Sequence, residues 1–104
     1  MIRLQHMLLL LGCLCVAGTA WAESLRLTNG EWPPYLSEQL ESNGIASSIV
    51  TQAFAEEGIK VVYGFFPWKR AYKLAENGEW DGSVVWTPNA ERRRLFFFSP
   101  PVIL

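Results

Sequence analysis

The hydrophobic pattern of the chain has first the period of a strand and then that of a helix. Residues 25–28 alternate leucines with polar side chains, so a short strand is expected there, ended by Asn29–Gly30. The following residues 31–35 are expected to form a loop. An amphipathic helix with Gly58 as its C-terminal stop comes next, because apolar residues recur at helical spacing at Ile45, Ile49, Ala53 and Phe54.

The next segment again has the hydrophobic period of a strand followed by that of a helix. A second strand is expected over residues 59–66, where one side consists of Ile59, Val61, Tyr63 and Phe65. Pro67 is expected to open a second helix, which Asn77–Gly78 closes. The apolar face of this helix comprises Trp68, Ala71, Leu74 and Ala75, and its polar face comprises Lys69, Lys73 and Glu76.

The last segment is expected to add one more strand and a short αβ unit. Ser83–Trp86 is mostly apolar, which suits a buried parallel strand. A helical turn is expected over residues 90–93 with Asn89 as its N-cap, followed by a strand over residues 95–98. Strands that alternate with helices of this size predict an α/β fold with a doubly wound parallel sheet.

The first 22 residues have the pattern of a secretory signal peptide. Arg3 precedes an apolar stretch from Met7 to Val16, and small residues lead to an expected cut between Ala22 and Glu23. This stretch is shorter than the roughly 20 residues that a transmembrane helix needs. The expected organisation is a signal peptide over residues 1–22 and one domain over residues 23–104, located in the periplasm.

A second processing route competes with this cut. Residues 10–13 resemble a bacterial lipoprotein box, in which Cys13 would become the lipidated first residue, although the apolar run before it is short for that purpose. Cleavage after Ala22 would remove Cys13 together with Cys15 and His6. The exported domain would then lack thiol and imidazole nucleophiles, thiolate and imidazole zinc ligands, and disulfides.

The charge of the predicted domain bears on its possible partners. Removal of Arg3 leaves 8 of the 9 Lys and Arg residues against 10 Asp and Glu residues. This balance gives no reason to expect nucleic acid or an anionic membrane surface as a partner. We expect a monomer that needs no cofactor and no metal.

Candidate chemistry is concentrated just after the third predicted strand. Thr87 and Arg92 place a hydroxyl and a guanidinium five residues apart at the carboxyl end of that strand. Ligands of open α/β sheets collect at such ends, and arginine can bind a carboxylate bidentately. An equally open interpretation is that Arg92 belongs to a basic run, residues 92–94, on a solvated helical turn.

Six short motifs follow one another across the predicted domain. They are Trp32-Pro33-Pro34-Tyr35, Ala55-Glu56-Glu57-Gly58, Phe66-Pro67-Trp68-Lys69-Arg70-Ala71, Gly78-Glu79-Trp80-Asp81-Gly82, the segment from Thr87 to Arg92, and Phe98-Ser99-Pro100. In this order they resemble the periplasmic solute-binding proteins of family 3, the polar amino acid type, which deliver ligands to ABC transporters. The resemblance implies most of lobe one of a truncated, two-lobed (type II-like) binding protein whose lobes close on the ligand.

The resemblance also assigns roles by position. It implies that the Trp32 ring stacks on the ligand, that Trp68 lines the pocket, and that Thr87 and Arg92 hold the ligand's α-carboxylate, whereas Asp81 matches a structural turn residue. The implied function is non-catalytic capture of an amino acid or related carboxylate for ABC-type transport, with an inner-membrane permease as partner. The sequence departs from the family at Pro100, where aspartate is usual.

Each candidate also has an alternative. Trp32 could cover the edge of the core, and Trp68 could belong to the core itself. The fold also resembles exported dehydratases and the sensory domain of some transglycosylases, in which case Glu31 or Asp81 would act as general acid or base. Both carboxylates lie beside turn glycines, which favours solvated roles.

Overall fold

The computed structural model describes residues 23–102 of the 104-residue chain. The predicted signal peptide and Cys13 therefore lie outside the described residues. The strands are β1 (Ser24–Asn29), β2 (Lys60–Phe65) and β3 (Gly82–Ser83), and the helices are α1 (Ile45–Glu56), α2 (Trp68–Glu76) and α3 (Ala90–Leu95), with a 3-10 turn at Glu41–Asn43. No helix in this part of the chain is long and apolar enough to cross a membrane.

The three strands form one parallel sheet in the order β2-β1-β3. Strand β1 is central and pairs with β2 from Ser24 opposite Lys60 to Asn29 opposite Phe65. It pairs with β3 at Leu27 and Thr28 only. The described part is thus a small α/β domain with a three-stranded parallel sheet, which confirms the predicted class.

Helices α1 and α2 cover opposite faces of β1. Successive residues of a strand point to opposite faces, so neighbouring residues of β1 contact different helices. Leu27 packs with Ala46 and Val50 of α1 in the hydrophobic core. On the other face, the buried hydroxyl of Thr28 donates to the carbonyl oxygen of Ala71 in α2 over 2.9 Å. Helix α2 presents the predicted apolar face, with Ala71 fully buried at its centre.

Helix α1 has the predicted position, but its predicted apolar face is wrong at three of its four residues, and the fourth, Phe54, packs against the core. Ile45 and Ile49 are exposed, and Ala53 is exposed as well. The buried positions are Ala46, Ser47 and Val50. Ser47 accepts a hydrogen bond at Oγ from Asn29 Nδ2, and its carbonyl oxygen accepts one from the Tyr63 hydroxyl. These bonds turn the small polar side of the helix toward the sheet, because buried polar groups must be paired.

Two predictions near the end of the chain are also wrong. The third strand covers only Gly82–Ser83 instead of residues 83–86, because Val85 adopts φ 57° and turns the chain out of the sheet. The strand expected over residues 95–98 is not formed. Leu95 ends α3, and the following residues pair with no strand in the described part, which leaves Phe97 fully exposed.

Candidate functional site

A cleft of about 270 Å³ opens where the three strands end. The residues after β1 and β3 form two of its sides, and Trp68, which follows β2 and begins α2, forms the third. The lining consists of Glu31, Trp32, Trp68, Val85, Trp86, Thr87 and Arg92. The carboxyl ends of parallel strands are the usual place for ligands in open α/β sheets.

All four residues predicted for the site line this cleft. Trp32 follows β1, Trp68 begins α2, Thr87 follows β3, and Arg92 lies in α3. The structure thus brings them together around one cavity, while their action on a ligand stays a prediction.

Arg92 is held in place by its own short helix. Its backbone N–H donates to the side chain of Asn89 over 2.8 Å, which confirms Asn89 as the N-cap. Its Nη1 donates to the Thr87 carbonyl oxygen over 2.7 Å, and its Cζ lies 5.0 Å from the centre of the Trp86 ring. Within residues 23–102 the guanidinium has no carboxylate partner, so its remaining N–H groups can bind an anion.

The Trp68 ring is a fixed wall of the cleft. Its Nε1 donates to the Glu31 carbonyl oxygen over 3.3 Å, and its ring meets Trp86 edge-on at 5.4 Å. The ring also lies directly against Gly30, where an added Cβ would lie 2.6 Å from Trp68 Cε2. Gly30 is therefore the residue that lets the ring approach the backbone of the loop.

Trp86 is a wall that the sequence analysis missed. Its Nε1 donates to the Ser83 hydroxyl over 2.7 Å, and Tyr72 packs against its ring at 5.2 Å. The left-handed conformation of Val85 brings Trp86 out of the strand direction and into the cleft. The available signal was its position immediately before Thr87, at the end of the apolar run.

Trp32 forms the exposed side of the cleft. Its backbone N–H donates to the carbonyl oxygen of Leu36 over 2.7 Å, and the fully buried Leu36 anchors this loop to the core. The Trp32 ring packs on Tyr35 at 4.7 Å, yet 47% of the residue remains accessible. A large apolar ring with this much free surface, in the same cleft as the Arg92 guanidinium, is available for contact with a ligand.

The carboxylates near the cleft are occupied by the protein itself. Glu31 accepts from the backbone N–H of Glu38 at 2.9 Å and from the Ser37 hydroxyl at 2.8 Å. These two bonds lower the pKa of Glu31 below its ordinary value, and the bond from the Glu38 N–H has the larger effect. Asp81 accepts from the backbone N–H of Arg26 at 2.8 Å and does not line the cleft.

Neither a metal site nor a relative indicates a function for the described residues. No group of three or more His, Cys, Asp or Glu side chains in residues 23–102 is arranged to hold a metal ion. Comparison with known proteins gives no match to a family model, a curated protein or a solved structure. The function is therefore inferred from the chemistry of the cleft.

Proposed function

We propose that this protein binds a small carboxylate-bearing solute, an amino acid or a related compound, as lobe one of a family 3 periplasmic solute-binding protein. The supporting observation is that Trp32, Trp68, Thr87 and Arg92 line one cleft at the carboxyl ends of the strands. The ligand's carboxylate binds at Arg92 and Thr87, and its body lies against the tryptophan rings.

The anion preference follows from the charge of the lining. Arg92 contributes the positive charge, and one of its N–H groups is already used to fix its position on Thr87. The remaining N–H groups and the Thr87 hydroxyl are donors without an acceptor among residues 23–102. A carboxylate oxygen pair can accept from such an arrangement by charge-assisted hydrogen bonds.

Binding without catalysis is supported by the state of the carboxylates. A general acid at neutral pH needs a raised pKa, whereas the pKa of Glu31 is lowered. Asp81 is bonded to the backbone of β1 and lies outside the lining. The enzymatic alternative, with either residue as acid or base, is therefore the weaker proposal.

The open side of the cleft fits the role of one half of a site. Trp32, Thr87 and Glu31 are exposed, so a ligand on this surface would keep contact with water. Closure by a second lobe would exclude that water and strengthen each polar contact. The isolated lobe is accordingly expected to bind weakly.

The proposal also covers the cellular location of the protein and its partner. Residues 1–22 direct export to the periplasm, and the domain works there as a monomer that hands its ligand to an ABC-type permease in the inner membrane. These steps are supported by the signal-like N-terminal sequence and by the resemblance described above.

The test is a binding screen of amino acids and small carboxylates against the 104-residue chain. The compounds that bind are then titrated into the protein, and binding is measured by NMR. Arg92→Gln should weaken the best carboxylate at least about tenfold, because a charge-assisted hydrogen bond contributes roughly 1.5–3 kcal/mol. Arg94→Gln removes the same charge from an exposed position of α3 outside the lining and is the matched control. Equal affinities of wild type and Arg92→Gln would refute the carboxylate assignment.

A further inference from the structure

We infer that Ser83 is a positioning residue of the proposed site. Its hydroxyl orients the Trp86 ring, and that ring holds the Arg92 guanidinium where a carboxylate can reach it. Ser83 itself does not line the cleft. The inference rests on the proposed function and adds a residue that sets the affinity of the same site without touching the ligand.

The Ser83 hydroxyl lies between the central strand and the Trp86 side chain. It donates to the Thr28 carbonyl oxygen over 3.3 Å and accepts from Trp86 Nε1 over 2.7 Å. An indole N–H can only donate, whereas a hydroxyl can donate and accept, so the two bonds are compatible. Thr28 is a fully buried residue of β1, and Ser83 therefore ties the indole to the middle of the sheet.

Trp86 depends on side-chain contacts because it lies beyond the end of the sheet. Strand β3 ends at Ser83, and Val85 with φ 57° turns the chain away before Trp86 is reached. Strand pairing therefore does not set the direction of the ring. Trp68 and Tyr72 pack against it at 5.4 and 5.2 Å, and the bond from Nε1 to Ser83 adds the directional contact that fixes its rotation.

The Trp86 ring in turn carries the Arg92 guanidinium. Arg92 Cζ lies 5.0 Å from the centre of the ring, within the range of a cation–π interaction. A second contact of the guanidinium, from Nη1 to the Thr87 carbonyl oxygen, lies within an exposed segment of the chain. The ring thus links the cation to the sheet through Ser83. Bidentate binding of a carboxylate depends on the orientation of the guanidinium plane, so a change in the ring changes the affinity.

The experiment uses two substitutions and one matched control in the labelled 104-residue chain. Ser83→Ala removes the acceptor, and Trp86→Phe keeps an aromatic ring but removes the N–H. Ser48→Ala is the control, because the Ser48 hydroxyl also accepts a side-chain bond, from Gln52, but lies in α1 outside the lining. L-alanine and propanoate are the probes, since both are small carboxylates that fit a cleft of about 270 Å³. Their Kd values are measured by NMR titration.

We expect Ser83→Ala to raise the Kd of the probes about three- to tenfold, and Ser48→Ala to leave it within about twofold of wild type. Trp86→Phe should also weaken binding. When Ser83→Ala is added to Trp86→Phe, the Kd should change by less than about twofold, because the N–H that Ser83 accepts is already absent.

Two signals report the same coupling without any ligand. Ser83→Ala should move the Trp86 indole N–H proton signal upfield, because a hydrogen-bonded proton resonates further downfield than a free one. The Arg92 Nε–H signal should move toward that of the exposed Arg94, because the ring current of Trp86 no longer acts on it in the same way. Ser48→Ala should change neither signal.

The outcomes separate the two proposals. An unchanged Kd in Ser83→Ala would overturn this inference, while the proposed function would stand if Arg92→Gln weakens binding. An equal effect of Ser83→Ala with and without Trp86→Phe would also overturn it, because Ser83 would then act through its bond to Thr28 and not through the indole. Binding of neither probe by the wild type, or an unchanged Kd in Arg92→Gln, would overturn the proposed function together with the inference.

Discussion

Arg92 Nη1 donates to the Thr87 carbonyl oxygen over 2.7 Å, so the two residues proposed to hold a carboxylate also hold each other. The bond connects the loop before α3 to the helix itself and fixes the guanidinium before any ligand binds. Fixing a binding group in advance reduces the entropy that is lost on binding. The same bond leaves part of the guanidinium free, which is the condition for binding an anion.

Arg92→Lys tests whether the planar guanidinium matters beyond its charge. A lysine ammonium cannot donate to Thr87 and to both oxygens of a carboxylate in the same fixed geometry. We expect the Kd of a bound carboxylate to rise about tenfold while the fold, followed by circular dichroism, is unchanged. Arg94→Lys should leave the Kd within about twofold of wild type. Retention of full affinity by Arg92→Lys would mean that any cation at this position suffices.

Gly30→Ala tests the position of the Trp68 wall. The three atoms nearest to the added Cβ all belong to the Trp68 ring, at 2.6 to 2.8 Å. The ring must move, and we expect a loss of about 1–3 kcal/mol of unfolding free energy in urea titrations, together with weaker ligand binding. In a Trp68→Ala background the same substitution should cost much less, since the clash is gone. Equal costs in the two backgrounds would contradict this account.

Val85 and Val84 offer a direct comparison of backbone strain with burial. Val85 has φ 57°, a conformation that is unfavourable for a β-branched residue, whereas Val84 is buried and its N–H donates to Thr28. At position 85, glycine removes roughly 1–2 kcal/mol of strain, which offsets the loss of a partly buried side chain. At the buried position 84, glycine leaves a cavity with no such gain. We expect Val84→Gly to lower the free energy of unfolding by at least about 2 kcal/mol more than Val85→Gly. Similar losses would show that Val85 is not strained.

Glu31 should make the stability of the domain depend on pH in the acidic range. Its folded-state pKa is lowered, by the Glu38 N–H first and the Ser37 hydroxyl second. The stability from these bonds is therefore present above the ordinary pKa of a glutamate, about 4.3, and is lost as the pH falls through the lower folded value.

The measurement for Glu31 is the Tm of wild type and Glu31→Gln across this range. At about pH 6 the wild type should melt at the higher temperature, and the difference should shrink as the pH falls through the lowered pKa of Glu31 in the folded state. A difference that stays constant from pH 6 to pH 3 would mean that the charge of Glu31 contributes nothing.

Local pattern predicted most of the order of the elements. The periods of alternation placed β1, α1, β2 and α2, and the Asn89 side chain marked the start of α3. The faces of α2 were also predicted, because its apolar residues lie together on one side around the buried Ala71. Such features depend on residues close together in the sequence, which is the range that pattern analysis covers.

For the candidate site, the sequence indicated which residues could bind a ligand, and the fold determined which of them lie close together. Thr87 and Arg92 were selected from their position after a strand, and Trp32 and Trp68 from the family resemblance, and all four line the cleft. Trp86 was missed because its direction depends on the conformation of Val85, which no spacing rule indicates.

The sequence by itself determined the α/β class, the order of the main elements and a set of candidate residues with a cation among aromatic rings. Only the tertiary structure decided that α1 buries Ser47 instead of Ile45 and Ile49, and that the carboxylate of Glu31 is already used by the loop. The reason is that periodicity shows which side chains share a face. The face that turns inward is chosen by partners distant in sequence, here Asn29 and Tyr63.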